Sequence, residues 1–250
     1  MIDAVNALGR GTRLVLTAGF RRYVFVPLTV NLALYVATIA LLVARFEGWM
    51  AYWMSQVPSW LAWLEWLIWP LLVISLILFV FFTFTLVANL IAAPFYGFLA
   101  EKVEQHFTGD EVRDERGLWR QGIDSLKREL HKLGYFLPRM ALLLLLGFVP
   151  VINVAAPLLW ALFSAWSMAI QYLDYPMDNH QVSFREMKRR LGQRWWPTLT
   201  FGGVITATIW IPVVNLVIMP GAVAGAVMMW QRHYQMLPPA PDTLSQRRGI

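Results

Sequence analysis

The sequence predicts an all-α integral membrane protein. It is expected to have two long transmembrane helices, two re-entrant helical hairpins that penetrate the membrane and turn back, and amphipathic helices on the cytoplasmic side. Three observations carry that expectation. Hydrophobic residues make up 58% of the 250-residue chain and charged residues 14%, against about 45–50% and about 25% in soluble domains. Four runs lack any charged side chain, 23–44, 66–100, 140–173 and 195–231, and each exceeds the roughly 20 residues that cross a bilayer's hydrocarbon core. Within the last two runs, "FVPVINVAAPLLW" and "WIPVVNLVIMP" place a Pro-x-x-Asn unit near the middle, where an uninterrupted helix tolerates it least.

Taken in chain order, residues 1–20 read as an amphipathic helix at the interface. Val5, Leu8, Leu14 and Val15 fit loosely on one face, and no signal-peptide core or cleavage site is present. Run 23–44 is one plain span of about 33 Å. Run 66–100 is too long for one upright crossing and short for two. Pro94 suggests a break, giving a span at 66–92 and a new segment into "AEKVEQHF". Between these spans lie tryptophans 49, 53, 60, 63 and 66, aromatic rings of the kind that favour the headgroup level. Segment 101–139 is polar and carries an amphipathic helix, with Trp119, Ile123, Leu126, Leu130 and Leu133 on one face.

Runs 140–173 and 195–231 each consist of apolar arms around a Pro-x-x-Asn unit. The arm before Pro150 is ten residues, 140–149, about 15 Å of helix. Arms of that length are more often re-entrant than spanning. Two ordinary two-span hairpins remain the alternative. Between the runs, Ser183 and Glu186 stand at capping-box spacing ahead of a short helix closed by Gly192. The whole of 1–236 reads as a single membrane domain, followed by a proline-rich, disordered tail at 237–250. With the loop 45–65 on one side, 20 of the 21 Lys and Arg residues fall on the other. That pattern places both termini in the cytoplasm.

Several function classes are excluded or weakened. There is no cysteine, so thiol catalysis and thiolate metal sites are ruled out, and no G-x-x-x-x-G-K-[ST], H-E-x-x-H or G-x-S-x-G occurs. The net charge of +6 fits positive-inside loops rather than nucleic-acid binding. No cofactor, catalytic residue or metal ligand is assigned. "DYPMDNH" offers Asp174, Asp178 and His180 as a metal cluster for a lipid-modifying enzyme, but such sequences more commonly form turns. A scaffold that docks partner proteins on its basic helices is the other rival.

Candidate pore or gate residues follow from polarity. Asn31, Asn89, Asn153 and Asn215 place one carboxamide in each apolar run, as interhelical bonding groups or as lining for an anion path. Glu101 and Glu104 share a helical face and suggest salt bridges to Arg128 or Arg139. Gly19, Phe20, Arg21 and Arg22 stand where the first span begins, as a headgroup anchor or as an oxyanion site built from a helix N-terminus and forked donors. "GAVAG" at 221–225 permits close helix approach.

The stretches "GFRRYVFVPLTVN" (19–31), "NLIAAPFYGFLAEKVE" (89–104), "KREL…YFLPR" (127–139) and "FSAWSMAIQYLDYPMDNHQVSFREMK" (163–188) resemble the CysZ sulfate permeases of bacterial inner membranes, as do both Pro-x-x-Asn units. The resemblance runs from about residue 8 to 234. It implies sulfate uptake for cysteine biosynthesis, homo-oligomeric assembly among membrane lipids and re-entrant hairpins. It also implies sulfate binding at the Gly-x-Arg-Arg segment, Gly19 to Arg22. The family's "PGIRR" reads "AGFRR" here, so the proline before the arginine pair is lost.

Overall fold

In the computed structural model the described residues are 2–109, 118–150, 152–209 and 211–238; side chains at 61–62, 64–65, 85–94, 118–122, 125, 152 and 212–216 fall outside the description. The regular elements among them are helices. They are α1 (Ile2–Val15), α2 (Arg21–Ser55), α3 (Glu65–Thr108), α4 (Leu118–Gly147), α5 (Ala156–Asn179), α6 (Phe184–Gln193), α7 (Trp195–Ile209) and α8 (Pro212–Met229), with short helical turns at Ser59–Leu64, Ile152–Ala155 and Trp230–Tyr234. Four stretches, Arg21–Ser55, Trp66–Phe84, Leu126–Gly147 and Asn153–Asn179, are long and apolar enough to cross a membrane. The expected fold class is therefore found. The expected tail falls mostly on residues 239–250, outside the described residues.

The chain divides into two compact units. One, Phe25–Ala93, pairs α2 with α3. Tyr35 meets Phe84 edge-on at 5.2 Å between centroids and Phe46 meets Trp69 at 6.2 Å, so the two helices run antiparallel. Leu32, Val36, Val43, Phe79 and Phe82 stay exposed, a surface suited to lipid because a helix satisfies its own backbone there.

The other unit, Met1–Val24 with Pro94–Ile250, holds the core. α1 packs on α8 through residues with little side chain. A Cβ added to Gly225 would stand 2.9 Å from the Ala7 carbonyl oxygen, and one on Gly11 would collide with the backbone of Gly221. The G-x-x-x-G of 221–225 thus serves close approach, as its spacing suggests. The face of α1 that is buried reads Ala4, Ala7, Leu8, Gly11 and Val15. Of the four apolar residues expected on one face, Val5 is 51% exposed. Closeness to α8, rather than side-chain hydrophobicity, selects the face. α5 and α7 use the same device, with Gly202 against the backbone of Ala165.

Four boundaries differ from expectation, the first being that the ten-residue arm expected at 140–149 is the end of the 30-residue α4, whose stretch Leu126–Gly147 is long and apolar enough to cross a membrane. α2 continues to Ser55, past Arg45 and Glu47, and the remaining loop is helical again at Ser59–Leu64. A charge ends the apolar run without breaking a backbone hydrogen bond, so the helix goes on. α3 runs from Glu65 to Thr108 with no break at Pro94. Pro27, Pro138, Pro176 and Pro220 also lie inside helices, as membrane helices tolerate. "DYPMDNH" is not a turn through Asp174 and Asp178: α5 carries through Pro176 to Asn179, and the chain turns only at His180 and Gln181.

Both Pro-x-x-Asn units mark helix–turn–helix tips. Residues 148–155 join α4 to α5, and the Asn153 N–H closes the turn on the Val149 carbonyl at 2.9 Å. Pro157 and Pro212 stand in the first turns of α5 and α8, where a missing N–H is harmless. The 15 residues of α7 rise about 22 Å, short of the roughly 30 Å hydrocarbon core.

Candidate functional site

α1 ends at Val15, and residues 16–20 form a tight turn before α2. The Thr17 carbonyl accepts from the N–H groups of both Phe20, at 3.0 Å, and Arg21, at 3.1 Å. Phe20 is held by an edge contact with the His106 ring of α3, 5.7 Å between centroids. Gly19 faces open space, since a Cβ there would touch nothing. Arg21 donates from Nε to the Leu16 carbonyl at 2.6 Å, and Arg22 donates from Nη2 to the Tyr23 hydroxyl at 3.1 Å. Both arginines are exposed, and among the described residues neither meets a carboxylate. Each guanidinium therefore keeps most of its five donors at the start of a 35-residue helix, whose N-terminal end carries partial positive charge.

A second cluster is buried where α3, α4 and α5 meet. Arg128 donates from Nε to Asp174 Oδ1 at 2.6 Å, and from Nη1 to Asp178 Oδ1 and the Val182 carbonyl, each at 2.9 Å. One helical turn on, Lys132 lies 2.6 Å from Glu129 and 2.9 Å from the other oxygen of Asp174. Two cations thus face three carboxylates, so the cluster offers no net attraction to an anion. Beside it, Glu104 is 1% exposed and one of its oxygens lies 2.9 Å from His180 Nε2. Its other oxygen is buried without a hydrogen-bond partner. The Asn179 amide donates to the Gly97 carbonyl at 3.1 Å, tying α5 to α3.

The structure does not pair the expected partners Glu104 and Arg128: Glu104 meets His180. Arg128 is taken by the aspartates, and the guanidinium of Arg139 donates to the Tyr135 carbonyl and lies 3.7 Å over the Tyr135 ring. Glu101 is half-buried in α3. Asn153 is exposed in the first hairpin tip, and Asn31 lies in α2 with its amide oxygen buried and unpartnered. Asn89 and Asn215 sit on α3 and α8 with side chains outside the described residues. Lys132 and Glu129 are not among the candidates, and Asp174 is one only as a metal ligand. Their signal was spacing: E-x-x-K in α4 and D-x-x-x-D in α5 each place charges on one helical face. Asp174 and Asp178 do not point to a shared metal; they face Arg128 and Lys132.

A family model described as "Sulfate transporter CysZ/Etoposide-induced protein 2.4" matches residues 7–220. The chain belongs to this family. Among its relatives, a "Sulfate transporter CysZ" of Pseudomonas fluorescens (strain Pf0-1) is 47% identical over 236 residues, 93% of this chain and 94% of that protein. Another, from Pseudomonas fluorescens (strain SBW25), is 51% identical over 229 residues, covering 90% and 89%. One from Pectobacterium atrosepticum is 44% identical over 239 residues, covering 94% and 86%. The CysZ names are those of transporters, not enzymes. Together with the four apolar stretches, they make the chain a multi-pass membrane protein.

Proposed function

We propose that this chain is a sulfate permease of the bacterial inner membrane that supplies cysteine biosynthesis, with both termini cytoplasmic and subunits assembled as a homo-oligomer among membrane lipids. The observation that carries the reading is the arginine pair. Among the described residues, where Arg128 and Lys132 are matched by carboxylates, Arg21 and Arg22 stand unmatched at a helix N-terminus beside the open face of Gly19. Sulfate is a tetrahedral dianion that forked guanidinium donors bind through charge-assisted hydrogen bonds, and the start of α2 adds backbone dipole of the favourable sign.

The double charge makes passage through hydrocarbon prohibitive without a polar route. Asn31 and Asn153, with Asn89 and Asn215, supply neutral amide donors that release an anion more readily than a fixed cation does. Glu101, Glu104 and Arg128 act as a gate rather than a binding station, because the buried cluster around Arg128 is already neutralised. The 15-residue α7, too short to cross the hydrocarbon core, supports re-entry.

Uptake of labelled sulfate into proteoliposomes tests the reading. Arg21→Ala with Arg22→Ala removes two charge-assisted contacts worth about 1.5–3 kcal/mol each, so apparent affinity for sulfate should fall at least tenfold. Uptake no greater than in empty vesicles, or undiminished in the double variant, counts against the proposal. The rival lipid-modifying enzyme predicts product formation that collapses on replacing Asp178 or His180. The scaffold reading predicts a co-purifying partner and no ion movement.

A further inference from the structure

We infer that a cationic pocket on α4 and α6 binds the phosphate headgroup of an anionic phospholipid. The pocket, about 540 Å³, is lined by Lys127, His131, Tyr135 and Arg139 of α4 with Phe184 and Lys188 of α6. Three fixed cations and a histidine converge there, and no carboxylate lines it. Lys127, itself exposed, has a half-buried neighbour, Asp124, at 3.8 Å. Among the described residues Arg139 and Lys188 have no acidic partner.

The pocket is built around one fixed ring. The Tyr135 hydroxyl accepts from Trp166 Nε1 of α5 at 3.1 Å, and the ring meets Phe184 edge-on at 5.9 Å. Arg139 lies over the ring at 3.7 Å and Lys188 at 4.7 Å, and Lys188 also covers Phe184 at 4.8 Å. Cation–π contacts hold two like charges close together, which repel unless an anion joins them. His131 Nδ1 is engaged with the Lys127 carbonyl at 2.9 Å.

Position and composition favour a lipid over a free ion. Arg139 is the last charge before the uncharged stretch that begins at Met140, so the pocket stands at the polar–apolar boundary of α4. Leu130, 58% exposed, itself lines the pocket, and elsewhere on the same helix Leu133 and Leu137 are 40% and 51% exposed. An amphipathic helix with leucines on one face and cations at its edge is suited to acyl chains below and phosphate above. A free sulfate would use the cations and leave the leucines uncovered.

The test titrates the full-length detergent-solubilised protein with phosphatidylglycerol, with zwitterionic phosphatidylcholine and with sodium sulfate, reading bound lipid by native mass spectrometry. Phosphatidylglycerol should bind preferentially. Arg139→Gln and Lys188→Gln should each lose about fivefold, and the pair about thirtyfold, from a surface cation's usual contribution to anionic-lipid binding. Both side chains have no ion pair to break, so the single variants fold even if the double does not. Arg21→Ala with Arg22→Ala should leave the lipid preference intact, which separates this site from the transport reading. Equal binding of the two lipids, or unchanged binding in the single variants, overturns the inference. So does competition by millimolar sulfate that the same variants abolish, which would make the pocket a free-oxyanion site.

Discussion

Replacing Arg128 by methionine should destabilise the protein far more than removing any exposed cation. The guanidinium is 13% exposed and bonds two carboxylates and a backbone carbonyl at 2.6–2.9 Å. Its removal takes a 2.9 Å guanidinium contact from Asp178 and the donor from the Val182 carbonyl, while Asp174, 5% exposed, keeps Lys132 at 2.9 Å. Breaking a buried pair costs about 3–5 kcal/mol, and the surviving Lys132 contact puts Arg128→Met near about 3 kcal/mol. For a chain of this size that is a fall of about 6–12 °C in Tm. Lys127→Ala is the control: its ion pair spans 3.8 Å and its side chain is 67% exposed, worth about 0.2–0.5 kcal/mol and about 1 °C. Thermal unfolding in detergent followed by tryptophan emission, with 13 tryptophans reporting, compares the two. Adding Asp178→Asn to Arg128→Met should recover part of the loss, because the carboxylate that faced the guanidinium is then neutral. Equal Tm shifts for Arg128→Met and Lys127→Ala, or no recovery in the double variant, would refute the assignment of this cluster as the buried joint between α4 and α5.

Gly202→Ala should cost about 1–3 kcal/mol by forcing α7 away from the Ala165 carbonyl, whereas Gly192→Ala, with nothing near its added carbon, should raise Tm slightly; matching effects would sink the close-packing account. Glu186→Gln tests pH linkage in α6. Hydrogen bonds from Arg189, then from Arg190, lower the Glu186 pKa to about 2 from an ordinary 4.5. The charge therefore stabilises the folded state fully above pH 4.5 and loses that effect as pH falls towards 2. The variant should melt about 2–4 °C lower at pH 7, for about 1 kcal/mol lost in a solvent-screened site, with the gap closing below pH 4.5; a gap constant with pH speaks against the linkage.

Helix content and membrane class were legible because the four charge-free runs are gross features of composition. Helix ends were not. Hydropathy locates the boundary of the apolar layer, whereas a helix ends where its hydrogen bonds end, so α2 passes Arg45 and Glu47 and α3 passes Pro94. Proline proved a two-valued signal: inside a helix at positions 27, 138, 176 and 220, and beside a break at 150, 157 and 212. Local context does not separate these cases: Pro176 also opens a Pro-x-x-Asn unit, 176–179, yet lies inside α5. The capping box of α6 was half right. Ser183 accepts from the Glu186 N–H at 3.2 Å, but the Glu186 carboxylate turns to Arg189 and Arg190 rather than back to the cap. The charged cluster was legible only as isolated acids and bases, because which arginine meets which aspartate depends on how α4 and α5 pack.

That packing separates the chain's cations into two kinds. Arg128, part-buried, and Lys132, buried, are answered by Asp174, Asp178 and Glu129, which fixes α4 to α5 without leaving positive charge to spare. Arg21, Arg22, Arg139 and Lys188 are held by carbonyls, a hydroxyl and aromatic faces instead. Those partners orient a guanidinium or ammonium without cancelling it, so its field remains available to an incoming anion. A neutralised cation gives up its partner only at the several kilocalories that ion-pair rupture costs. An aromatic or carbonyl contact can be kept while a sulfate or phosphate oxygen joins from the open side. A residue suited to capture an oxyanion is accordingly one whose partners carry no charge, a condition that Arg21 and Arg22 at the start of α2 and Arg139 and Lys188 beside the boundary of α4 meet among the described residues.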